Sequence, residues 1–268
     1  MKRDKVLLFA LFCGMVTIIA GCEAKIYNSM DNIEQVRSAA EQGNASAQIE
    51  LGHRYYKSSD FDNSYIWFKK AADQGLVEAQ VKLGECYSRG LGVNENYEEA
   101  LRYYQKAALQ GNAAGQYILG VSYSQGFCVS QNDTEAFNWF AKAAAQGHAV
   151  AQYLLGGLYD TGSGVKQNKS KAIEFIRKSA EQGYAEAQFE LASRYSLGDG
   201  VAVNEQESNK WCRKAAKLGH AEAQYQFGLA CIGGIGVPKN MSEGKEWLNK
   251  ASDQGIKEAK DLLNAMKK

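Results

Sequence analysis

The sequence predicts an all-α fold, a solenoid of stacked helix-turn-helix repeats, and three observations support this. A closing glycine recurs first after 32 residues and then five times after 36. Its positions are Gly43, Gly75, Gly111, Gly147, Gly183, Gly219 and Gly255. The pair Ala-Gln recurs in step with it, and a single proline in 268 residues suits a chain of many helices. A fixed period in this range is typical of a solenoid.

Each repeat predicts two helices joined by a turn. In the fourth repeat, Ala151, Leu155 and Tyr159 fall at i, i+4 and i+8, which places them on one apolar helix face. The turn that follows contains Gly162 and Gly164, and glycine adopts positive φ without steric cost. A second apolar stripe at helical spacing follows the turn. Because neither helix can bury its stripe alone, the repeats are expected to stack and share a core.

The N-terminus, residues 1–21, is predicted to be a lipoprotein signal peptide. Basic residues precede an apolar run, Val6 to Ile19, whose 14 residues are few for a membrane-spanning helix. The run ends in Ile19-Ala20-Gly21-Cys22, which resembles the bacterial lipobox. This resemblance implies cleavage before Cys22 and lipidation of that cysteine. An uncleaved membrane anchor and an ordinary secretory signal are the alternatives.

The predicted location is the bacterial cell envelope, with the lipoprotein facing the periplasm. Glu23, rather than aspartate, follows the lipidated cysteine, which in enteric-type sorting favours the outer membrane over the inner one. The mature chain would carry 28 basic and 29 acidic side chains. This balance lacks the excess of positive charge that a nucleic-acid-binding protein needs, so no nucleic-acid partner is predicted.

The mature chain divides by its repeats into a tether and a single solenoid. Residues 22–30 form the tether, and residues 31–268 form the solenoid. Within it, residues 31–43 match only a second helix and are predicted to be an N-terminal half-repeat cap. Six repeats follow over 44–255, and residues 256–268 are predicted to be a C-terminal capping helix, because terminal repeats need a polar outer face.

The repeat resembles the Sel-one-like repeat family, which is related to tetratricopeptide repeats. The shared pattern is A-x-A-Q-x-x-L-G-x-x-Y, then G-x-G-V, N, A and W-F-x-K-A-A-x-Q-G, and it is almost complete in Val77–Gly111 and Ala149–Gly183. The resemblance covers roughly residues 31–266. It implies a right-handed superhelix whose first helices line a concave groove, and a role as an interaction scaffold. The first repeat departs from the pattern because it lacks the G-x-G-V turn.

A protein-binding surface is predicted on the first helices, at the four positions of each that lie off the packing stripe. By the resemblance these positions face the concave groove. The candidate residues are Glu50, Arg54, Lys82, Ile118, Val121, Leu154, Leu158, Glu190 and Arg194. Charge occupies both ends of the set and apolar residues occupy its middle, so Ile118, Val121, Leu154 and Leu158 are the expected centre of an exposed apolar strip. The alternative is that neighbouring repeats bury these side chains.

No catalytic residue, metal site or cofactor is predicted. Ser242 and Lys245 match the S-x-x-K motif of penicillin-recognising enzymes, but the companion S-D-N and K-T-G motifs are absent from the sequence. Ser242 is instead interpreted as a helix cap. The Asp-Thr-Gly triplet at Asp160 lies in a repeat turn without a partner copy, and the three histidines show no metal-ligand spacing.

Two cysteines are candidates for a disulfide. Cys212 lies in a second helix and Cys231 in the next first helix, at similar distances from the turn between them. Antiparallel packing of these helices would bring the two side chains together, and the cell envelope permits disulfides. A bridge and a pair of buried thiols are both open alternatives.

The predicted function is non-catalytic. The protein is expected to be a lipid-anchored interaction module that binds a protein partner on its concave face. Two narrower versions are an immunity protein against a periplasmic toxin and an envelope or host-interaction factor. The alternative is a weak penicillin-binding hydrolase, an activity that the resemblance implies because some secreted relatives have been described as such enzymes.

Overall fold

The computed structural model describes residues 33–266, which form fourteen α-helices and no strand. The helices are α1 (Ile33–Glu41), α2 (Ala45–Lys57), α3 (Phe61–Asp73), α4 (Val77–Arg89), α5 (Tyr97–Leu109), α6 (Ala113–Gln125), α7 (Asp133–Ala145), α8 (Ala149–Thr161), α9 (Lys169–Glu181), α10 (Ala185–Leu197), α11 (Glu205–Lys217), α12 (Ala221–Gly233), α13 (Met241–Asp253) and α14 (Lys257–Ala265). Each repeat contributes two helices of 13 residues. The all-α repeat fold is confirmed.

The helices group into two compact units, one within residues 1–146 and the other within residues 147–268. The N-terminal unit holds α1 to α7 and the C-terminal unit holds α8 to α14. Inside each unit, every helix packs against the next one along the chain. The division into a tether, a half-repeat cap and one uninterrupted solenoid over residues 31–268 stays a prediction.

Asparagine caps set where five of the second helices begin. In each case the asparagine side chain accepts a hydrogen bond from the backbone N–H three residues later, at 3.0–3.1 Å. The caps are Asn96, Asn132, Asn168, Asn204 and Asn240, spaced by 36 residues. Such a side chain satisfies a donor that the first helical turn leaves free. The interpretation of Ser242 as a cap is therefore wrong, because Asn240 caps α13 and Ser242 is exposed inside it.

The two helices of each repeat approach closely through a matched pair of small and large residues. A Cβ atom added to the glycine of the first helix would lie 2.6–3.2 Å from the large side chain of the second helix. The pairs are Gly52 with Phe68, Gly84 with Tyr104, Gly120 with Phe140, Gly156 with Ile176, and Gly228 with Leu248. In the fifth repeat, Ala192 replaces the glycine and the smaller Cys212 replaces the large residue. The larger residue of the first helix is thus accompanied by a smaller one in the second, which avoids a clash between the two helices.

Both cysteines of the predicted disulfide are free thiols in the structure. Cys212 and Cys231 are buried in the same apolar cluster, but the Cys212 thiol donates a hydrogen bond to the backbone oxygen of Ala223, at 3.3 Å. Burial raises the pKa of the Cys212 thiol to about 12. The alternative of two buried thiols matches the structure, in which both side chains lie in one apolar cluster.

A relay of paired glutamines joins the helices of a repeat to the helix before them. In five of the six repeats, the glutamine after the second helix donates a hydrogen bond to the buried glutamine near the start of the first helix, at 2.7–2.9 Å. The pairs are Gln74–Gln48, Gln110–Gln80, Gln146–Gln116, Gln182–Gln152 and Gln254–Gln224. Three of these first-helix glutamines, Gln48, Gln116 and Gln224, also donate to a carbonyl of the helix before them, as Gln224 does to Ala216 at 3.1 Å. One side chain therefore holds three helices in register.

The relay is broken in the fifth repeat. Leu218 stands where the other repeats have the donating glutamine, and its side chain is 57% exposed. Gln188 keeps its hydrogen bond to the Ala180 carbonyl, at 2.9 Å, but its buried Oε1 has no protein partner. A buried acceptor without a donor lowers the stability of the fold, because folding removes its hydrogen bonds to water and no protein hydrogen bond replaces them.

Leu218→Gln is expected to raise the free energy of unfolding by about 1 kcal/mol, because it supplies the missing donor and removes no buried apolar contact. Urea unfolding of the purified protein measures the change. Leu197→Gln is the control, since Leu197 is also highly exposed, at 78%, and does not stand at the position of a relay glutamine. Equal midpoints for Leu218→Gln and the wild type would contradict the prediction.

Candidate functional site

Charged side chains on the first helices of the N-terminal unit are paired with one another. The Arg54 guanidinium donates to the Glu50 carboxylate at 2.8 Å, with both side chains about one-third exposed. His53 Nε2 lies 2.9 Å from the Glu78 carboxylate, and this hydrogen bond lowers the pKa of Glu78. The predicted surface residues Glu50 and Arg54 are thus accessible, but their charges are mutually compensated.

Glu85 is the centre of a second polar cluster in the same unit. It is 4% exposed, and its carboxylate accepts hydrogen bonds from Arg89 at 2.8 Å, Tyr56 at 3.0 Å and Lys82 at 3.1 Å. A buried carboxylate is tolerated when several donors surround it in this way. Lys82, a predicted binding residue, therefore has a structural partner.

The predicted apolar strip is wrong for the third repeat. Ile118 is 1% exposed and Val121 is 3% exposed, so neither can be the exposed contact of a partner. Neighbouring helices pack on most sides of α6, because all eight residues from Gly115 to Ser122 are buried. An aspartate at Ile118 would place a charge in the protein core. These two positions belong to the core instead of the binding surface.

The fourth repeat keeps an accessible apolar surface, on α8 of the C-terminal unit. Leu154 and Leu158 are both partly exposed. Gly157 lies between them and is exposed, and a Cβ atom added to it would meet nothing within 4 Å. Leu154, Gly157 and Leu158 therefore form a small apolar surface that is open to solvent, and we call it the apolar step.

Arg194 is at the centre of a carboxylate cluster in the C-terminal unit. The side chain is 8% exposed, and its guanidinium donates to Asp160 at 3.1 and 3.2 Å, to Glu190 at 2.8 Å and to Asp199 at 2.9 Å. Asp199 also pairs with Lys169, and this hydrogen bond, aided by Arg194, lowers the pKa of Asp199. Arg194, predicted to contact a partner, is therefore occupied inside the protein.

The cluster around Arg194 leaves negative charge on this part of the C-terminal unit. Three carboxylates surround Arg194 and Lys169, and the side chains of Glu190 and Asp199 are 36% and 38% exposed. Glu186 lies one turn before Glu190 and is exposed. We call Asp160, Glu186, Glu190 and Asp199 the acidic cluster. With its two basic partners it has a net charge of −2.

The motifs with enzymatic associations have other roles in the structure. Ser242 and Lys245 lie on the exposed side of α13, and Asp160 accepts hydrogen bonds from Arg194. Within residues 33–266, no group of histidine, cysteine or acidic side chains is arranged to hold a metal ion. No helix in that range has the length and apolar character to cross a membrane.

Two histidines act as helix caps. His148 begins α8 and its Nδ1 accepts a hydrogen bond from the Ala151 N–H at 3.2 Å, as His220 does from Ala223 at the start of α12. Only a neutral ring can accept at Nδ1. Burial lowers the pKa of His148 to about 4 from its ordinary value of 6.5. The folded protein therefore favours the neutral form of this side chain.

Acid is expected to weaken the C-terminal unit through His148. Above about pH 6.5 both folded and unfolded chains carry the neutral ring, and the cap contributes fully. As the pH falls from about 6.5 to 4, only the unfolded chain binds the proton, so stability declines by roughly 3 kcal/mol at most. Asn44 and Asn112 cap the equivalent helices, so His148→Asn keeps the cap and should remove this pH dependence. Identical pH profiles of the urea midpoint for both proteins would contradict the prediction.

Comparison with known families finds one match along most of the chain. The family model described as "Sel1 repeat" matches residues 45–76, 77–112, 113–148, 149–184, 185–220 and 221–256. These boundaries coincide with the helix pairs. No curated protein sequence matches the chain.

Solved structures with the same architecture include three of particular relevance. A protective antigen of uropathogenic Escherichia coli strains, displaying an SLR fold, is 36% identical with a TM-score of 0.82; the match covers 88% of this chain and 51% of the antigen, so the chain spans about half of its length. A Sel1 repeat protein from Oxalobacter formigenes is 30% identical with a TM-score of 0.73, over 82% of this chain and 88% of that protein. An immunity protein from Pseudomonas aeruginosa is 20% identical with a TM-score of 0.53, over 77% and 82% of the two chains, and shows a shared fold alone.

Proposed function

The chain belongs to the Sel1 repeat family, and from this premise we propose that it is a non-catalytic module that binds a protein partner on its first-helix face. Sel1 repeat proteins are protein-interaction modules and are typically non-catalytic. Repeat solenoids present an extended surface built from one position in each repeat, which suits the recognition of another protein.

The observation that carries the proposal is the exposed apolar step on α8. Leu154 and Leu158 flank the exposed Gly157, and the acidic cluster belongs to the same unit. Apolar side chains at the centre with charged groups around them are the usual composition of a protein interface. The expected partner offers an apolar segment with lysine or arginine beside it. Glu50 and Arg54 are expected to contribute less to partner binding than the apolar step does, because each charge is already compensated by the other.

Site-specific photo-crosslinking in cells tests the proposed surface. A photoreactive phenylalanine at Leu158 is expected to give a discrete protein adduct, and Glu190→Lys is expected to weaken that adduct by removing an acidic contact. The same photoreactive residue at Lys142, an exposed position on the second helix α7, is the control. Adducts of equal yield at both positions, or none at Leu158, would count against binding on the first-helix face.

We propose further that Cys22 carries a lipid that anchors the protein to the envelope, facing the periplasm and at the outer membrane. Cys22 lies outside the described residues, and the support is the lipobox-like sequence before it. Cys22→Ser is expected to accumulate as an unprocessed precursor that takes up no labelled palmitate. Normal maturation and labelling of this variant would refute the anchor.

Two narrower roles are an immunity protein against a periplasmic toxin and an envelope or host-interaction factor. The Pseudomonas immunity protein shares the fold, which makes the first a candidate to be tested by the identity of the crosslinked partner. The hydrolase alternative gains no support from the comparisons or from the exposed Ser242 and Lys245. The purified protein is expected not to hydrolyse nitrocefin.

A further inference from the structure

A shallow cleft of about 340 Å³ lies in the C-terminal unit, between α11, α12 and the loop before α13. Four basic side chains of α11 line it: Lys210, Arg213, Lys214 and Lys217. They follow the spacing i, i+3, i+4 and i+7, which places them on one side of the helix. Phe227 from α12 and Val237 from the loop form an apolar wall.

Lys214 has a structural role that every repeat shares. In all six repeats a lysine follows an aromatic residue by three positions, and its ammonium lies 3.9–5.0 Å from the ring centroid. The pairs are Lys70–Trp67, Lys106–Tyr103, Lys142–Trp139, Lys178–Phe175, Lys214–Trp211 and Lys250–Trp247. This cation–π contact belongs to the packing of the repeat.

The other three basic residues are not required by the repeat. The equivalents of Lys210 are Ile66, Arg102, Asn138, Glu174 and Glu246, of which one is basic. Those of Arg213 are Lys69, Gln105, Ala141, Arg177 and Asn249, of which two are basic. Those of Lys217 are Asp73, Leu109, Ala145, Glu181 and Asp253, none of them basic. Only α11 is basic at all four positions. A fold that accepts acid, amide or alkyl groups at these sites gives no structural reason for three additional cations on α11.

The positive charge of the cleft is only partly compensated. Lys210 pairs with Glu207 at 2.9 Å and Arg213 with Glu243 at 3.3 Å, and both basic side chains are more than half exposed. Lys217 is exposed and has no hydrogen bond or ion pair with any described residue. Exposed pairs of this kind are weak, so an incoming anion can replace them at little cost. Two carboxylates against four cations leave a net charge of +2.

We propose that this cleft binds a phosphate ester. A phosphate monoester carries close to two negative charges at neutral pH, which matches the charge that remains in the cleft. The Arg213 guanidinium suits paired hydrogen bonds to phosphate oxygens, while Lys210 and Lys217 act as point charges. Val237, which is partly exposed, would contact the group that carries the phosphate, and Phe227 would form the floor of the cleft beneath Arg213. The basic side chains of the cleft all lie on the second helix α11, whereas the proposed protein-binding residues Leu154 and Leu158 lie on the first helix α8.

Two probes distinguish a soluble ester from a lipid headgroup. Phenyl phosphate is titrated into the purified protein by calorimetry, and phosphatidylcholine vesicles with and without phosphatidic acid are used in a flotation assay. The test variant is Lys210→Gln/Arg213→Gln/Lys217→Gln, and the control is Lys57→Gln/Lys166→Gln/Lys260→Gln, which removes the same charge at exposed positions elsewhere and keeps the lysines of the cation–π contacts. The cleft variant is expected to lose affinity by about tenfold or more, and the control by about twofold or less.

Binding of phenyl phosphate alone would assign the cleft to soluble esters, and binding of phosphatidic acid vesicles alone would assign it to a membrane headgroup. The proposal is overturned if neither probe binds, if the cleft variant binds as the wild type does, or if the control loses equal affinity. If the triple variant fails to fold, Lys217→Gln replaces it, because this side chain has no protein partner to lose. It is expected to weaken binding about threefold, and an unchanged affinity would overturn the proposal.

Discussion

Gly120→Val is expected to lower the free energy of unfolding by about 3 kcal/mol. A Cβ atom at this position would lie 2.6 Å from the ring of Phe140, and that ring is 2% exposed and has nowhere to move. Valine adds two further methyl groups to the same contact. The helices α6 and α7 would have to separate, which loses packing along both. Urea unfolding measures the loss.

Gly157→Val is the matched control, because Gly157 is also a glycine inside a first helix but faces open solvent. Its stability should change by less than about 0.5 kcal/mol, since valine and glycine differ little in helix propensity. A comparable loss in both variants would show that backbone conformation, and not contact with Phe140, is responsible.

Arg194→Met should destabilise the protein by about 2 kcal/mol at neutral pH, because it leaves Asp160, Glu190 and Asp199 close together without their shared cation. The loss is smaller than the roughly 3–5 kcal/mol of a fully buried pair, since all three carboxylates are partly exposed and can be rehydrated. Methionine preserves most of the side-chain volume, so the change reports on charge.

The pH dependence of this variant identifies the cause. The pKa of Asp199 is lowered in the folded protein by Lys169 and Arg194, so its contribution to stability is present above about pH 4 and is lost as the pH falls further. The difference between Arg194→Met and the wild type should therefore shrink in acid. Arg102→Met, which removes an exposed pair with Glu99, is the control and should cost about 0.5 kcal/mol or less. If the difference in free energy of unfolding between Arg194→Met and the wild type stays constant down to pH 3, lost packing is its cause.

The sequence was sufficient to predict the helix pairs because the same pattern recurs in six successive repeats. Spacing of Leu155 and Tyr159 predicts a helix face, and the glycine turns predict where helices end. The asparagine at position 240 recurs every 36 residues, and that period was a sign that it, and not Ser242, caps the helix. In the same way, the recurrence of Gln-Gly pairs in the sequence was a sign of the glutamine relay.

The binding surface was harder to predict because exposure depends on neighbours. Ile118 and Leu154 hold the same place in their repeats, yet one is buried and the other partly exposed. The role of Arg194 depends on Asp160, which lies 34 residues earlier and reaches it only through the stacking of α8 and α10 within one unit. No local pattern in the sequence contains that contact.

The matched pairs of small and large residues limit how such a gene can exchange its own segments. Repeats of equal length that share one pattern can be exchanged for one another by recombination. A crossover at the closing glycine would move a glycine and its aromatic partner together, and the new protein would pack. A crossover between the two helices would join Ala192 to a phenylalanine or Gly120 to Cys212, giving a clash in one product and a cavity in the other. Selection on packing alone would thus keep the repeat as the unit of inheritance.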